Sequence, residues 1–265
     1  MSNFLHFIEK LIDAYVAHRP RRKPNAIDLT PICLVAHRGA HEAFVLENTM
    51  SAFERALALN CYGIEFDVHA CADGVLVVHH DDTLKRLWGH DVAIKTLRFE
   101  ALRALVPEVP SLAEVVAQFG GRLHLYIELK APFVATTALT ETLKTLTPVV
   151  DYHLLSLDDA LFSTLEGFPT ASMLLVPVHN NVAHFCAESL KRHYGGILGH
   201  YWLLQHPQID ALQKADQFVG VGFVDSKFSL YRELNRGLRL LFTNNARVMT
   251  VLIKDVERNM PPKVL

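Results

Sequence analysis

Three features of the 265-residue sequence predict an α/β protein of the TIM (β/α)8 barrel class. From residue 31 onward, short apolar runs alternate with helical patterns, the rhythm of a parallel sheet crossed by helices. The runs number eight, at 32–36, 62–68, 123–129, 152–156, 171–176, 195–200, 218–224 and 238–243, the count that closes a barrel. No glycine-rich phosphate loop follows the first run, which counts against the rival doubly wound open sheet.

Taken in order, residues 3–18 place Phe4, Leu5, Phe7, Ile8, Leu11, Ile12, Tyr15 and Val16 at helical spacing, with Glu9, Lys10 and Asp13 opposite. Arg19-Pro20-Arg21-Arg22-Lys23-Pro24 ends that helix and reads as a solvated basic linker. Residues 1–30 are thus expected to form an N-terminal amphipathic helix and basic linker, and residues 31–265 the barrel. A helix packed on the barrel is the plain reading of residues 3–18. A weak membrane-surface contact through residues 3–23 is the sharper one.

The first strand ends in His37-Arg38-Gly39, and Asn48 precedes a helical pattern over 49–59, where it reads as an N-cap. A second helical pattern covers 133–146. The run Val75–Val78 stands too close behind 62–68 for a parallel crossover, and Asp73-Gly74 joins the two, so a β-hairpin insertion after strand 2 is expected. A two-residue loop there sets Ala72 against Val75, His69 against Val78 and Asp67 against His80.

A formal net charge of -2 argues against a nucleic-acid partner held by bulk electrostatics. Cys33, Cys61, Cys71 and Cys186 lack metal-knuckle spacing and read as reduced thiols. With no apolar run near the ~18 residues of a membrane span and no secretory signature, a cytoplasmic setting is expected.

Charged residues interrupt the strand patterns. In 62–68, Ile64, Phe66 and Val68 share one face, leaving Glu65 and Asp67 to point at the barrel axis. In 123–129, Leu125, Ile127 and Leu129 face out while Tyr126 and Glu128, with the following Lys130, face in. Carboxylates inside a barrel mouth must be paired or bound to a cation. Two explanations stand: an ion-pair network with Lys130 and Arg38, or a hard divalent cation, Mg²⁺ or Ca²⁺, held by Glu65, Asp67 and Glu128. The second also uses His37, from the first strand, and His80, from the hairpin, as an acid and a base beside a phosphate site. His41, His69, His79, His124 and His200 read as packed or surface residues.

At these positions the chain resembles the glycerophosphodiester phosphodiesterase family. The resemblance rests on His37-Arg38-Gly39, Glu47-Asn48-Thr49, Glu65-Phe66-Asp67-Val68, Asp73-Gly74, His80-Asp81, Thr83-Leu84, Arg86, Pro110-Ser111-Leu112-Ala113-Glu114 and Ile127-Glu128-Leu129-Lys130. It implies a TIM barrel and divalent-cation-dependent cleavage of a small phosphodiester with a neighbouring hydroxyl. Carried over motif by motif, Glu65, Asp67 and Glu128 hold the metal, His37 and His80 exchange protons, and Arg38 and Lys130 bind phosphate oxygens. Glu47 supports the substrate side. Gly222-Phe223-Val224-Asp225 departs from the family's aromatic-Thr-Val-Asn, and Leu87-Trp88 replaces its threonines, while Thr243-Asn244 fits its last strand. These departures concern the substrate, so a lysophospholipase D and a non-catalytic phosphodiester-binding barrel remain the alternatives.

Overall fold

The computed structural model describes residues 14–15, 17–24, 31–178 and 180–258. Its nine strands are β1 (Cys33–His37), β2 (Gly63–Ala70), β3 (Leu76–Val78), β4 (His124–Leu129), β5 (Tyr152–Ser156), β6 (Met173–Leu175), β7 (Gly196–His200), β8 (Phe218–Gly222) and β9 (Leu240–Thr243). Eight run parallel in the order 1-9-8-7-6-5-4-2, and β1 pairs with β2 to close the ring. The TIM barrel is therefore present, and among the described residues β3 is the one strand outside the ring, antiparallel on β2.

Helix α1 (Met50–Ala58) follows β1. Between β3 and β4 come α2 (Lys85–Trp88), α3 (Phe99–Leu105) and α4 (Leu112–Phe119). The remaining crossovers carry α5 (Thr136–Leu143), α6 (Asp159–Phe162), α7 (Val182–Arg192), α8 (His206–Lys214) and α9 (Lys227–Asn235), and α10 (Ala246–Arg258) follows β9. Thr49, not Asn48, caps α1: its hydroxyl accepts from Ala52 N at 3.3 Å. Asn48 is buried with φ +57°, and its side chain is committed elsewhere.

The period-two assignment of faces holds. Ile64, Phe66, Val68, Leu125, Ile127 and Leu129 join the apolar layer between strands and helices. Inside the ring, Val35, Tyr126, Leu155, Leu174, Leu198 and Phe242 fill the barrel below its mouth. Phe53 of α1 lies between Phe66 and Phe119, with ring centroids 5.5 and 5.8 Å away. Full burial of a side chain of this kind contributes about 1.5–3 kcal/mol.

The hairpin forms, but one residue out of the expected register. Val68 pairs with Val78, His69 with Val77 and Ala70 with Leu76. The cause is a three-residue loop, Ala72-Asp73-Gly74, closed by Cys71 and Val75 and finished by Gly74 at φ +81°. Asp67 consequently faces His79, whose N–H donates to the Asp67 carbonyl at 3.0 Å. The hairpin also opens a larger excursion than the pattern suggested. Cys71, Val77, Leu84, Ile94, Leu102, Val106 and Val109 form its own small core. Ser111 and Glu114 cap α4 reciprocally, and Arg103 holds the Glu114 carboxylate through two bonds of 2.9 and 3.0 Å.

Of the helix expected over residues 3–18, Ala14, Tyr15, Ala17 and His18 are helical, and the remainder lies outside the described residues. The linker is not simply solvated. Lys23 pairs with Asp255 at 3.3 Å, and Asn235 Nδ2 donates to the Arg22 carbonyl at 2.9 Å, tying the linker to α9 and α10. All four cysteines are free thiols, and burial pushes Cys61 up to about 12. Among the described residues, no helix is long and apolar enough to cross a membrane.

Candidate active site

The C-terminal ends of the barrel strands surround a cavity of about 290 Å³ lined by His37, Arg38, Glu65, His80, Glu128 and Lys130. Alternation explains the delivery: Glu65, Asp67 and Glu128 point inward from β2 and β4, whose register sets Asp67 directly beside Glu128. Candidate ligand atoms from these three carboxylates lie within 4.8 Å of one another. At the end of β1 the chain turns left-handed at Arg38 (φ +54°) and Gly39 (φ +81°). A Cβ on Gly39 would stand 2.7 Å from Ala52 Cβ, so the turn requires glycine to pack against α1. The turn swings Arg38 across the mouth, where its N–H donates to Glu65 Oε2 at 3.1 Å.

The site's charges are unevenly distributed. Burial and the neighbouring carboxylates of Asp67 and Glu128 push Glu65 well above the usual carboxylate range. Burial and Asp67 likewise raise Glu128. Asp67 behaves oppositely: burial works against its charge, but Lys130 and Arg38 hold it down to about 2. Lys130 Nζ lies 2.6 Å from Asp67 Oδ1 and also contacts Glu128 Oε1. Arg38 Nε stands 3.4 Å from Asp67 Oδ2. The expected ion-pair network thus exists among these residues.

It does not satisfy the cluster. Asn48 Nδ2 donates to Asp67 Oδ2 at 2.8 Å, while Asn48 Oδ1 is buried without a hydrogen-bond partner. Two carboxyls forced toward neutrality beside a lone amide oxygen make a hard-oxygen donor set, which fits a divalent cation. Asn48 is the part of this set that its capping propensity concealed.

Each imidazole is oriented by a bond at Nδ1. His37 Nδ1 lies 2.7 Å from Asn244 Oδ1, and Asn244 is held in turn by Asp225. Asp225 Oδ1 also accepts from Thr243 Oγ1 and Asn244 N, both at 2.7 Å. Because Asn244 Nδ2 faces the Asp225 carboxylate, its oxygen faces His37, so His37 carries its proton on Nδ1. Nε2 is then the proton acceptor, 3.6 Å from Glu65 Oε2. Burial and the adjacent Arg38 lower His37 to about 4, favouring the neutral ring. Phe223 meets that ring edge-on, with centroids 4.8 Å apart.

His80 reaches the mouth although the register places it one step past the paired ribbon. Its Nδ1 lies 2.7 Å from Asp81 Oδ1. Burial lowers His80, opposed by the charge of Asp67 and by the Asp81 bond. Arg86 binds both Asp81 (2.5 Å) and Glu47 (2.6 Å), and Glu47 accepts from Arg38 Nη1 at 2.9 Å. Burial alone would raise Glu47, but Arg86 and Arg38 together hold it low. Glu47 therefore joins the two guanidinium groups and points to no proton transfer.

All eight residues singled out from the sequence converge on this one mouth. Asn48, Asp81, Arg86, Asp225 and Asn244 were missed as its supports, though the motifs around them carried the signal. His200, read as a packed or surface residue, lines the cavity and stacks on Tyr201 at 4.5 Å. His79 is indeed packed, and His124 and His153 meet at the opposite end of the barrel, Nε2 to Nδ1 at 2.7 Å.

The fold and site define an α/β barrel with an acidic, cation-compatible centre flanked by two oriented imidazoles. Residues 37–166 match the model of the Glycerophosphoryl diester phosphodiesterase family. The chain is 34% identical over 122 residues to a Glycerophosphodiester phosphodiesterase of Caldanaerobacter subterraneus subsp. tengcongensis, covering 42% of this chain and 50% of the relative. It is 41% identical over 88 residues to Lysophospholipase D GDPD3 of Mus musculus, covering 33% of this chain and 25% of the relative. The chain thus spans half or less of the length of these relatives. A glycerophosphodiester phosphodiesterase structure from Thermotoga maritima superposes with a TM-score of 0.73 at 24% identity, covering 85% of this chain and all of the other. An Oleispira antarctica phosphodiesterase, solved with sn-glycerol-3-phosphate, gives 0.70 at 20% identity, covering 83% and 96%. At these identities the two structures bear on the fold.

Proposed function

We propose that this chain hydrolyses glycerophosphodiesters to glycerol 3-phosphate and an alcohol, with His37 and His80 exchanging protons across a cation site of Glu65, Asp67 and Glu128. The observation that carries this reading is the convergence of both oriented imidazoles with the three carboxylates, Arg38 and Lys130 in one cavity. A bound Mg²⁺ or Ca²⁺ would supply positive charge to polarise the phosphoryl oxygens.

The protein's own groups divide the remaining work. Arg38 and Lys130 bind phosphoryl oxygens and stabilise the charge that develops on them. His37, neutral and with Nε2 open, removes the proton from the substrate hydroxyl next to the phosphodiester, and that oxygen attacks phosphorus. The phosphorus–oxygen bond to the leaving alcohol breaks, and His80 donates the proton to that oxygen. Asp81 suits His80 to this role because a carboxylate at Nδ1 favours the imidazolium. Water then opens the cyclic phosphate with the two roles reversed. Each imidazole contributes roughly 10²–10⁴-fold to rate.

Hydrolysis of glycerophosphocholine is the test, run with each cation and with chelator. Activity that needs Mg²⁺ or Ca²⁺ and falls by about 10²-fold or more in His37→Ala and His80→Ala is expected. Full activity of either variant, or of the chelated protein, would overturn the assignment.

One observation favours a second reading, a lysophospholipase D. Opposite the polar wall, the cavity is lined by Leu157, Val176, Pro177, Val178, Leu203 and Phe223. Such a wall suits an alkyl-bearing leaving group, and one relative bears that activity in its name. A substrate panel of glycerophosphodiesters and lysophospholipids separates the two readings. Both keep a reducing, cytoplasmic setting, supported by the four free thiols. Both also keep the division at residue 30 and a weak membrane contact through residues 3–23 as parts of the proposal.

A further inference from the structure

Five apolar side chains stand exposed on five of the loops that surround the cavity. Phe44 follows β1, Val134 follows β4, Leu157 follows β5, Val178 follows β6 and Trp202 follows β7, with exposures of 97, 86, 44, 40 and 45%. Loops after barrel strands all emerge at the C-terminal end of the sheet, where the cavity opens. β4, β5, β6 and β7 are consecutive neighbours, so four of these side chains form an arc over adjacent loops. β1 lies across the ring from β6, and Phe44, on the loop after β1, stands beside Trp88 and Pro107 of the excursion after β3.

Exposed apolar residues also stand at the other end of the barrel, Tyr62, Val150 and Phe218 among them, and singly they need no explanation; a set that borders a cavity does. Leu157 and Val178 also line the cavity, so the apolar surface continues from the rim into the site. That continuity identifies the occupant. A protein seated on the rim would close the cavity, whereas a lipid surface covers the same side chains and presents substrate at the opening. Tryptophan beside bare aliphatic side chains is also suited to a boundary between apolar and wet surroundings.

We infer that the C-terminal rim of the barrel docks on a phospholipid surface, and that substrate passes from it along Leu157 and Val178 into the cavity. The choice of a lipid surface and the identity of the cleaved substrate both rest on the phosphodiesterase reading.

The full chain is sedimented with phosphatidylcholine vesicles, and Trp202 emission is followed in a Trp88→Phe background. Partition into the vesicle fraction and a blue shift of Trp202 are expected. Phe44→Ser/Val134→Ser should weaken partition by about tenfold or more, from the apolar area lost to water. The same variant should lose turnover of aggregated lysophospholipid and keep that of soluble glycerophosphocholine. Neither residue lines the cavity, and a matching far-ultraviolet spectrum excludes misfolding.

Absence of vesicle binding by the parent chain overturns the inference. So does a variant that binds as well as the parent, since residues 3–23 would then account for the contact. A dimer of the parent that the substitutions dissociate assigns the rim to a second copy and also overturns it. Weakened vesicle binding with no hydrolysis of any diester upholds the docking while removing the phosphodiesterase reading.

Discussion

At the scale of single residues, the site depends on which nitrogen of each imidazole is left open. Asp225 never touches the cavity's acidic centre, yet it fixes the amide of Asn244, and Asn244 fixes His37. Asp225→Ala removes the reason for Asn244 to present its oxygen. The proposed glycerophosphodiester hydrolysis should then lose about tenfold or more in kcat with little change in KM, because substrate binding is untouched. Imidazole ¹⁵N shifts should show His37 losing its Nδ1–H preference, a change that a merely packed aspartate would not produce. Arg86 acts similarly on His80 and Arg38 through Asp81 and Glu47. Arg86→Lys keeps the charge but cannot span both carboxylates, so kcat should fall although a cation remains.

At the scale of elements, α1 and the excursion after β3 hold the mouth in place. Phe53 is fully buried between two aromatic rings that anchor α1 to β2 and α4. Phe53→Ala should cost about 3–5 kcal/mol in chemical denaturation, a large share of the stability of an ordinary domain. Ser111→Ala removes a helix cap and should cost about 1 kcal/mol. It should leave cation binding unchanged, since Ser111 and Glu114 brace α4 and not the acidic centre. That motif carries part of the family resemblance, but its physical role is capping.

At the scale of the whole molecule, the two ends of the barrel do different things. At the end away from the cavity, burial lowers His124 to about 4 and His153 to about 3. An unfolded histidine titrates near 6.5. Above that pH both states are neutral and the stability is fully present. As pH falls below 6.5 the unfolded chain binds protons that the folded chain refuses, so stability declines until about 4 and 3 are reached. Urea midpoints should therefore drop on acidification from about pH 7 to 5. His153→Phe should flatten that limb, with the proposed glycerophosphodiester hydrolysis at neutral pH preserved.

The alternation of Ile64, Phe66 and Val68 with Glu65 and Asp67 disclosed the barrel, its inward carboxylates and the strand ends that carry His37 and Lys130. Period-two patterning is a local property, and burial on one face leaves it no freedom to be anything else. The hairpin was visible in Asp73-Gly74, but its register was not, because a glycine in the left-handed region lengthens the loop without changing its composition. Asn48, Asp225 and Asn244 escaped for a related reason. Capping and turn propensities describe what such residues do with nearby backbone, whereas their partners here are Asp67, His37 and one another, brought together only by closure of the ring. The amino-acid sequence by its pattern determined which side chains enter the barrel. Tertiary structure decided which atoms of those side chains face one another, because that depends on loop geometry and on strands distant in the chain.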